Sequence, residues 1–133
     1  MDSKTISMFL IMIMGAFHGI LFLQSAHDKM TDWSGNLGWL TGHFEKSIFK
    51  NFVPILLGII TIFELLTGLL SWASIYFTYT QNYFVGIIAG FFALITLLQL
   101  FIGQRLAKDY AGAGALVPYF IMAFIWLFLI AGQ

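Results

Sequence analysis

Four stretches of this chain, each about 20 residues long and nearly free of charge, limit what it can fold into. A bilayer core ~30 Å thick is crossed by about 20 helical residues at ~1.5 Å each. Runs of that length extend from about Thr5 to Gln24, Phe52 to Trp72, Tyr83 to Ile102 and Gly112 to Ala131, and only the second carries a charge, Glu64. Where no water can serve the backbone amides, a helix satisfies them within its own segment. The expectation is an all-α integral membrane four-helix bundle, with residues 1–133 forming a single transmembrane domain.

Composition excludes the soluble alternatives. With 60% hydrophobic and 9% charged residues in 133, a water-soluble globule of this size could not hide its apolar surface. The formal net charge is zero, so no basic field is present to hold nucleic acid. The absence of cysteine removes thiolate metal sites, iron–sulfur ligation and disulfide chemistry. The first apolar run is as long as a span and lacks a small-x-small cleavage site near Ser25, so it reads as a retained helix rather than a signal peptide.

Charge distribution orients the bundle. The segment between the first two spans holds Lys29, Lys46 and Lys50, and that between the last two holds Arg105 and Lys108. With four spans these segments share a side, and the opposite side has only Lys4. The positive-inside rule then places the first and third loops in the cytoplasm and both termini outside. Within the first loop, Leu40, Phe44 and Ile48 recur at helical spacing from Gly38 to Phe49, near Trp33 and Trp39, which favour the headgroup level. This spacing predicts a short amphipathic helix lying in the interface between the first two spans. Pro54 falls at the start of the second span, where its missing N–H matters least.

Small residues mark the expected packing faces. Gly15 and Gly19 form a GxxxG in the first span, Gly86 and Gly90 another in the third, and Gly58, Thr61, Leu65 and Gly68 a stripe in the second. Such residues let helix backbones approach where lipid removes the hydrophobic drive. They are read as packing within the chain, with a homo-oligomer seam as the other use of the same pattern.

Charged or strongly polar residues inside the spans are the first place to look for function. There are three: His18, Glu64 and Gln99. Glu64 falls near the midplane, and His18 and Gln99 fall at similar depths nearer the side of the first and third loops. One reading makes them a quinone headgroup or proton site. The other makes them an interhelical hydrogen-bond cluster that fixes helix register, each bond contributing about 0.5–2 kcal/mol. A bis-histidine haem is disfavoured because His27 and His43 fall in the first loop. No nucleotide or zinc motif occurs, and Asp28, Asp32 and Glu45 read as a solvated loop face, so no metal site is assigned.

One segment is more specific than composition. Gln104, Arg105, Lys108, Asp109 and Tyr110, within Gly103–Ala113, combine with Ser25–Lys29 and with Ile62–Leu70 into a pattern that resembles the DoxX-like family over nearly the whole chain. The resemblance implies a small four-helix protein, often of the bacterial cytoplasmic membrane. That family is named after a subunit of an archaeal thiosulfate:quinone oxidoreductase, and a distant branch resembles receptor-assembly chaperones. It implies an accessory subunit or assembly partner of a larger membrane complex, plausibly respiratory or quinone-linked, with lipid and other membrane subunits as partners. The chain alone would bind no redox cofactor and would not be catalytic by itself. The alternative is a subunit that binds quinone or handles protons through Glu64 with His18 and Gln99. Transport is a poor third, since three polar residues make a sparse pathway. For topology, a reporter active only in the cytoplasm and fused after Gln133 should be silent; strong activity from that fusion would refute the orientation.

Overall fold

Asp2 begins the first helix by accepting the Thr5 backbone N–H at 2.8 Å, an N-cap that satisfies one of the amides a helix start leaves free. In the computed structural model, which describes every residue from Met1 to Gln133, the chain is 83% helical and contains no strand. The helices are α1 (Ser3–Thr31), α2 (Trp33–His43), α3 (Val53–Tyr79), α4 (Phe84–Leu106), α5 (Tyr110–Ala115) and α6 (Val117–Ala131). α1, α3, α4 and the α5–α6 pair are long and apolar enough to cross a membrane. The chain is an integral membrane four-helix bundle.

Pro54 sits in the first turn of α3, and Pro118 in the first turn of α6. Pro118 has no N–H to offer α5, which helps to explain why the fourth span is interrupted at Leu116. Each span packs on its chain neighbour and α1 closes the ring on α6. The Tyr83 hydroxyl lies 3.5 Å from Gln133 Oε1, so the second loop and the C-terminus share an end. The first and third loops share the other, joined by His43 and Gln104.

Three boundaries differ from the sequence expectation. α1 does not end near Gln24 but continues to Thr31, about 43 Å in all, so Ser25 and Lys29 are helical rather than part of a loop. α3 likewise runs to Tyr79, which reduces the second loop to a tight turn. The short helix of the first loop is present, but it occupies Trp33–His43 instead of Gly38–Phe49. Asp32 sets its start by accepting the Gly35 N–H at 3.3 Å. Beyond Phe44 the Ser47 hydroxyl donates to the Phe44 carbonyl and accepts from the Phe49 N–H, a local competition that turns the chain instead of extending the helix. Ile48 is consequently exposed.

Burial divides by chemistry. Ile11, Met14 and Phe22 of α1 meet Ala89, Ala93 and Leu97 of α4 and Ala123, Trp126 and Ile130 of α6 in an apolar centre. α3 instead buries a polar seam, Thr61, Glu64, Thr67, Ser71, Ser74 and Thr78, at spacings of three and four. Most of its hydroxyls donate to a carbonyl one turn back, such as Thr61 to Leu57 and Ser71 to Thr67. Thr67 also reaches Thr96 of α4 at 2.9 Å.

The glycines sort by neighbour. A Cβ on Gly19 would lie 2.6 Å from the Trp72 ring, and one on Gly68 2.9 Å from the backbone N of Leu23, so both are needed where α1 crosses α3. Gly15 meets Ser71 and Ser74 in the same crossing, and Gly86 and Gly90 meet Ile130 and Leu127 of α6. Gly58 departs from the expected packing role, because only the Trp33 ring comes near it, at 3.9 Å. Gly19→Val and Gly90→Val should each destabilise the bundle in detergent by about 1–3 kcal/mol through overpacking, and Gly58→Val by far less. Equal effects at the three positions in thermal melts would contradict this packing.

Candidate functional site

Glu64 lies about 16 Å along α3 from its first residue, and its side chain is 1% exposed. A carboxylate there needs a partner, and α1 supplies two. Lys29 Nζ donates to Glu64 Oε1 at 3.1 Å and sits 3.0 Å from Oε2, a charge contact without hydrogen-bond alignment. Ser25 donates to Oε1 at 2.9 Å and accepts from Lys29 at 2.8 Å. Ser25 and Lys29 stand one turn apart on α1, so the extra helical length beyond Gln24 is what carries both groups to Glu64. The result is a closed three-residue cluster that ties α1 to α3.

His18 is elsewhere. It is fully buried on α1, donates from Nδ1 to the Met14 carbonyl at 2.8 Å, and stacks on Trp126 with centroids 4.6 Å apart. Its face is toward α6, and it makes no hydrogen bond to Glu64 or Gln99. Nε2 has no hydrogen-bond partner. The expected polar set of His18, Glu64 and Gln99 is therefore not brought together: His18 leaves it, and Lys29 and Ser25 join Glu64.

Gln99 is on α4, one turn beyond Thr96, whose contact with Thr67 sets the α3–α4 register. It faces a cavity of about 320 Å³ between α3 and α4. Lys29 and Gln99 line it together with apolar Leu56, Ile60 and Ile102, and Phe44 and Phe49 of the first loop contribute to its wall.

The motif residues of the third loop hold that wall in place. His43 Nε2 donates to Gln104 Oε1 at 2.8 Å and lies 3.7 Å from Asp109 Oδ2. Asp109 also accepts the Gly112 N–H at 2.8 Å to start α5, and Arg105 lies over the Tyr110 ring at 4.5 Å. Lys108 adopts φ 60° at the turn that ends α4. There the Asp109 N–H bonds to the Gln104 carbonyl and the Lys108 N–H to the Arg105 carbonyl, the Schellman arrangement that glycine ordinarily fills. Gln104 to Tyr110 thus form one fixed corner, and it clasps the end of α2.

Comparison with protein-family models, curated proteins and solved structures finds no match for this chain. Among its functional residues, sequence reasoning missed the pairing of Lys29 and Ser25 with Glu64. The available signal was their i, i+4 spacing at the end of an apolar run with no helix breaker before Asp32. Lys29→Met should destabilise the bundle by about 3–5 kcal/mol, as expected when a buried charge loses its partner. Lys29→Met combined with Glu64→Leu should recover most of that loss. Simple additivity of the two single variants in mixed-micelle unfolding would show that the groups are not coupled.

Proposed function

We propose that this protein is a small accessory subunit or assembly partner of a larger membrane complex, respiratory or quinone-linked, and is not catalytic alone. The observation that carries this reading is the closed Lys29–Ser25–Glu64 cluster. The one buried carboxylate of the bundle is paired inside its own chain, an arrangement that fixes two helices rather than offering a free acid or base. The resemblance of the Gln104–Tyr110 corner to the DoxX-like family supports the same role. In this reading the protein lies in a bacterial cytoplasmic membrane, with the Lys46, Lys50, Arg105 and Lys108 end in the cytoplasm and both termini outside.

A second reading, a quinone-binding subunit, draws support from Lys29 and Gln99 on the wall of the α3–α4 cavity. The two readings part at Glu64→Gln, which keeps the shape of the side chain and removes its titrating proton. An accessory role predicts that the protein, extracted in mild detergent, runs in a defined complex with other membrane subunits at fixed stoichiometry. It also predicts that Glu64→Gln assembles and leaves the turnover of that complex unchanged. Normal assembly with lost quinone-linked turnover would favour the second reading, and a lone monomer whose deletion leaves every respiratory complex intact would overturn the first.

A further inference from the structure

We propose that an anionic phospholipid docks at the cavity between α3 and α4, with one acyl chain inside it and the phosphodiester head on the basic segments that border it. This goes beyond the accessory role and does not depend on it.

The cavity, of about 320 Å³, is large enough to take part of an alkyl chain. Its α3 wall runs from Val53 to Ile60, about the first two turns of that helix, so it lies in one leaflet just below the headgroups. Ile59 and Ile102, which line it, are also exposed on the outer surface of the bundle. A chain can pass from the bilayer into the cavity beside them.

The interior favours hydrocarbon over a charged head. Lys29, the one lysine or arginine on its wall, is held by Ser25 and Glu64, and His43 and Gln104 bond to each other. The Gln99 amide oxygen is buried within the protein and does not open onto the cavity. With its charges already engaged, the wall offers a charged group little in return for leaving water, a cost that an alkyl chain does not incur.

Selection of the head falls to the border. Phe49 lines the cavity on the loop side and Gln104 on the α4 side, and the residues that follow them, Lys50 and Arg105, are basic and exposed. Lys46 and Lys108 add an exposed cation to each of the same two segments. None of the four forms a salt bridge. The acids nearby are mostly committed: Asp109 to His43 and the start of α5, Asp32 to the start of α2, and Asp28 lies beside His27 on α1. Glu45 is the one acid in the bordering loop. Arg105 rests on the Tyr110 ring by its face, which leaves the edge of the guanidinium for phosphate oxygens. An excess of unpaired cations selects a head with net negative charge, whereas a zwitterionic head brings its own ammonium and gains little. Each such residue near the membrane surface strengthens the hold on an anionic lipid about fivefold.

The test uses the full chain, delipidated in a nonionic detergent and titrated with dioleoyl phosphatidylglycerol or dioleoyl phosphatidylcholine, with bound lipids counted by native mass spectrometry. One phosphatidylglycerol per chain is expected, held at least tenfold more tightly than phosphatidylcholine. Lys46→Gln combined with Lys50→Gln should weaken it at least tenfold, whereas Lys4→Gln, at the opposite end of the bundle, should leave it unchanged. Ile60→Trp, which fills the cavity from its wall, should abolish retention while thermal melting confirms a folded bundle; the lysine variants, being exposed, decide the matter if that variant does not fold. Equal binding of the two lipids, indifference to the lysine pair, or undiminished retention in folded Ile60→Trp would each overturn the assignment. So would displacement by glycerophosphoglycerol as effective as by the whole lipid, since a site for the head alone has no need of the cavity.

Discussion

The bilayer core offers no water to an ionised side chain, and most of the arrangement of α1 and α3 follows from that constraint. Glu64 can be kept in the span because Lys29 and Ser25 reach it, and they reach it because α1 stays helical past the end of its apolar run. The close crossing of the two helices is a matching requirement. Gly19 and Gly68 let the backbones approach, and the hydroxyls of Thr61, Thr67, Ser71 and Ser74 return their hydrogen bonds to their own helix instead of standing unpaired.

Much of this architecture was legible in the sequence. Hydropathy and length disclosed the four spans, and the GxxxG spacings disclosed two of the crossing faces. Glu64 could be recognised as a residue needing a partner, because ionisation in a span is costly whatever the fold. The partner was less legible. Charge placed Lys29 in a loop, whereas helix continuity and the reach of a long side chain carry it inward. His18 and Gln99 were matched to Glu64 by depth, but depth does not specify the direction a helix face points, and rotation about the axis takes His18 to Trp126. The polar seam of α3 follows a regular three-and-four spacing that is visible once it is sought, although its residues are individually unremarkable in a membrane helix.

The corner from Gln104 to Tyr110 shows how a short polar motif can act through geometry. Lys108 in the left-handed region, the Asp109 cap and the Arg105–Tyr110 stack together fix the exit from α4. Gln104 and Asp109 are then displayed to His43, and α2 is drawn against the α3–α4 cavity. A similar turn with Gln81 at φ 62° ends α3 at the opposite end of the bundle. There no helix like α2 is clasped by it, so the two ends of the molecule differ in build while sharing a local turn.

The inward direction of Lys29 also bears on how deep the protein rides in the membrane. A lysine near the end of a span ordinarily snorkels to the headgroups and pins that helix at a fixed height. Here the charge is turned toward the midplane, so α1 has no basic anchor at its C-terminal end. Vertical position at that end falls instead to Trp33 and Trp39 of α2, whose rings favour the headgroup layer. A bilayer that thickens or thins would then shift α2 and its aromatic pair first, changing the tilt of the bundle rather than straining the buried ion pair.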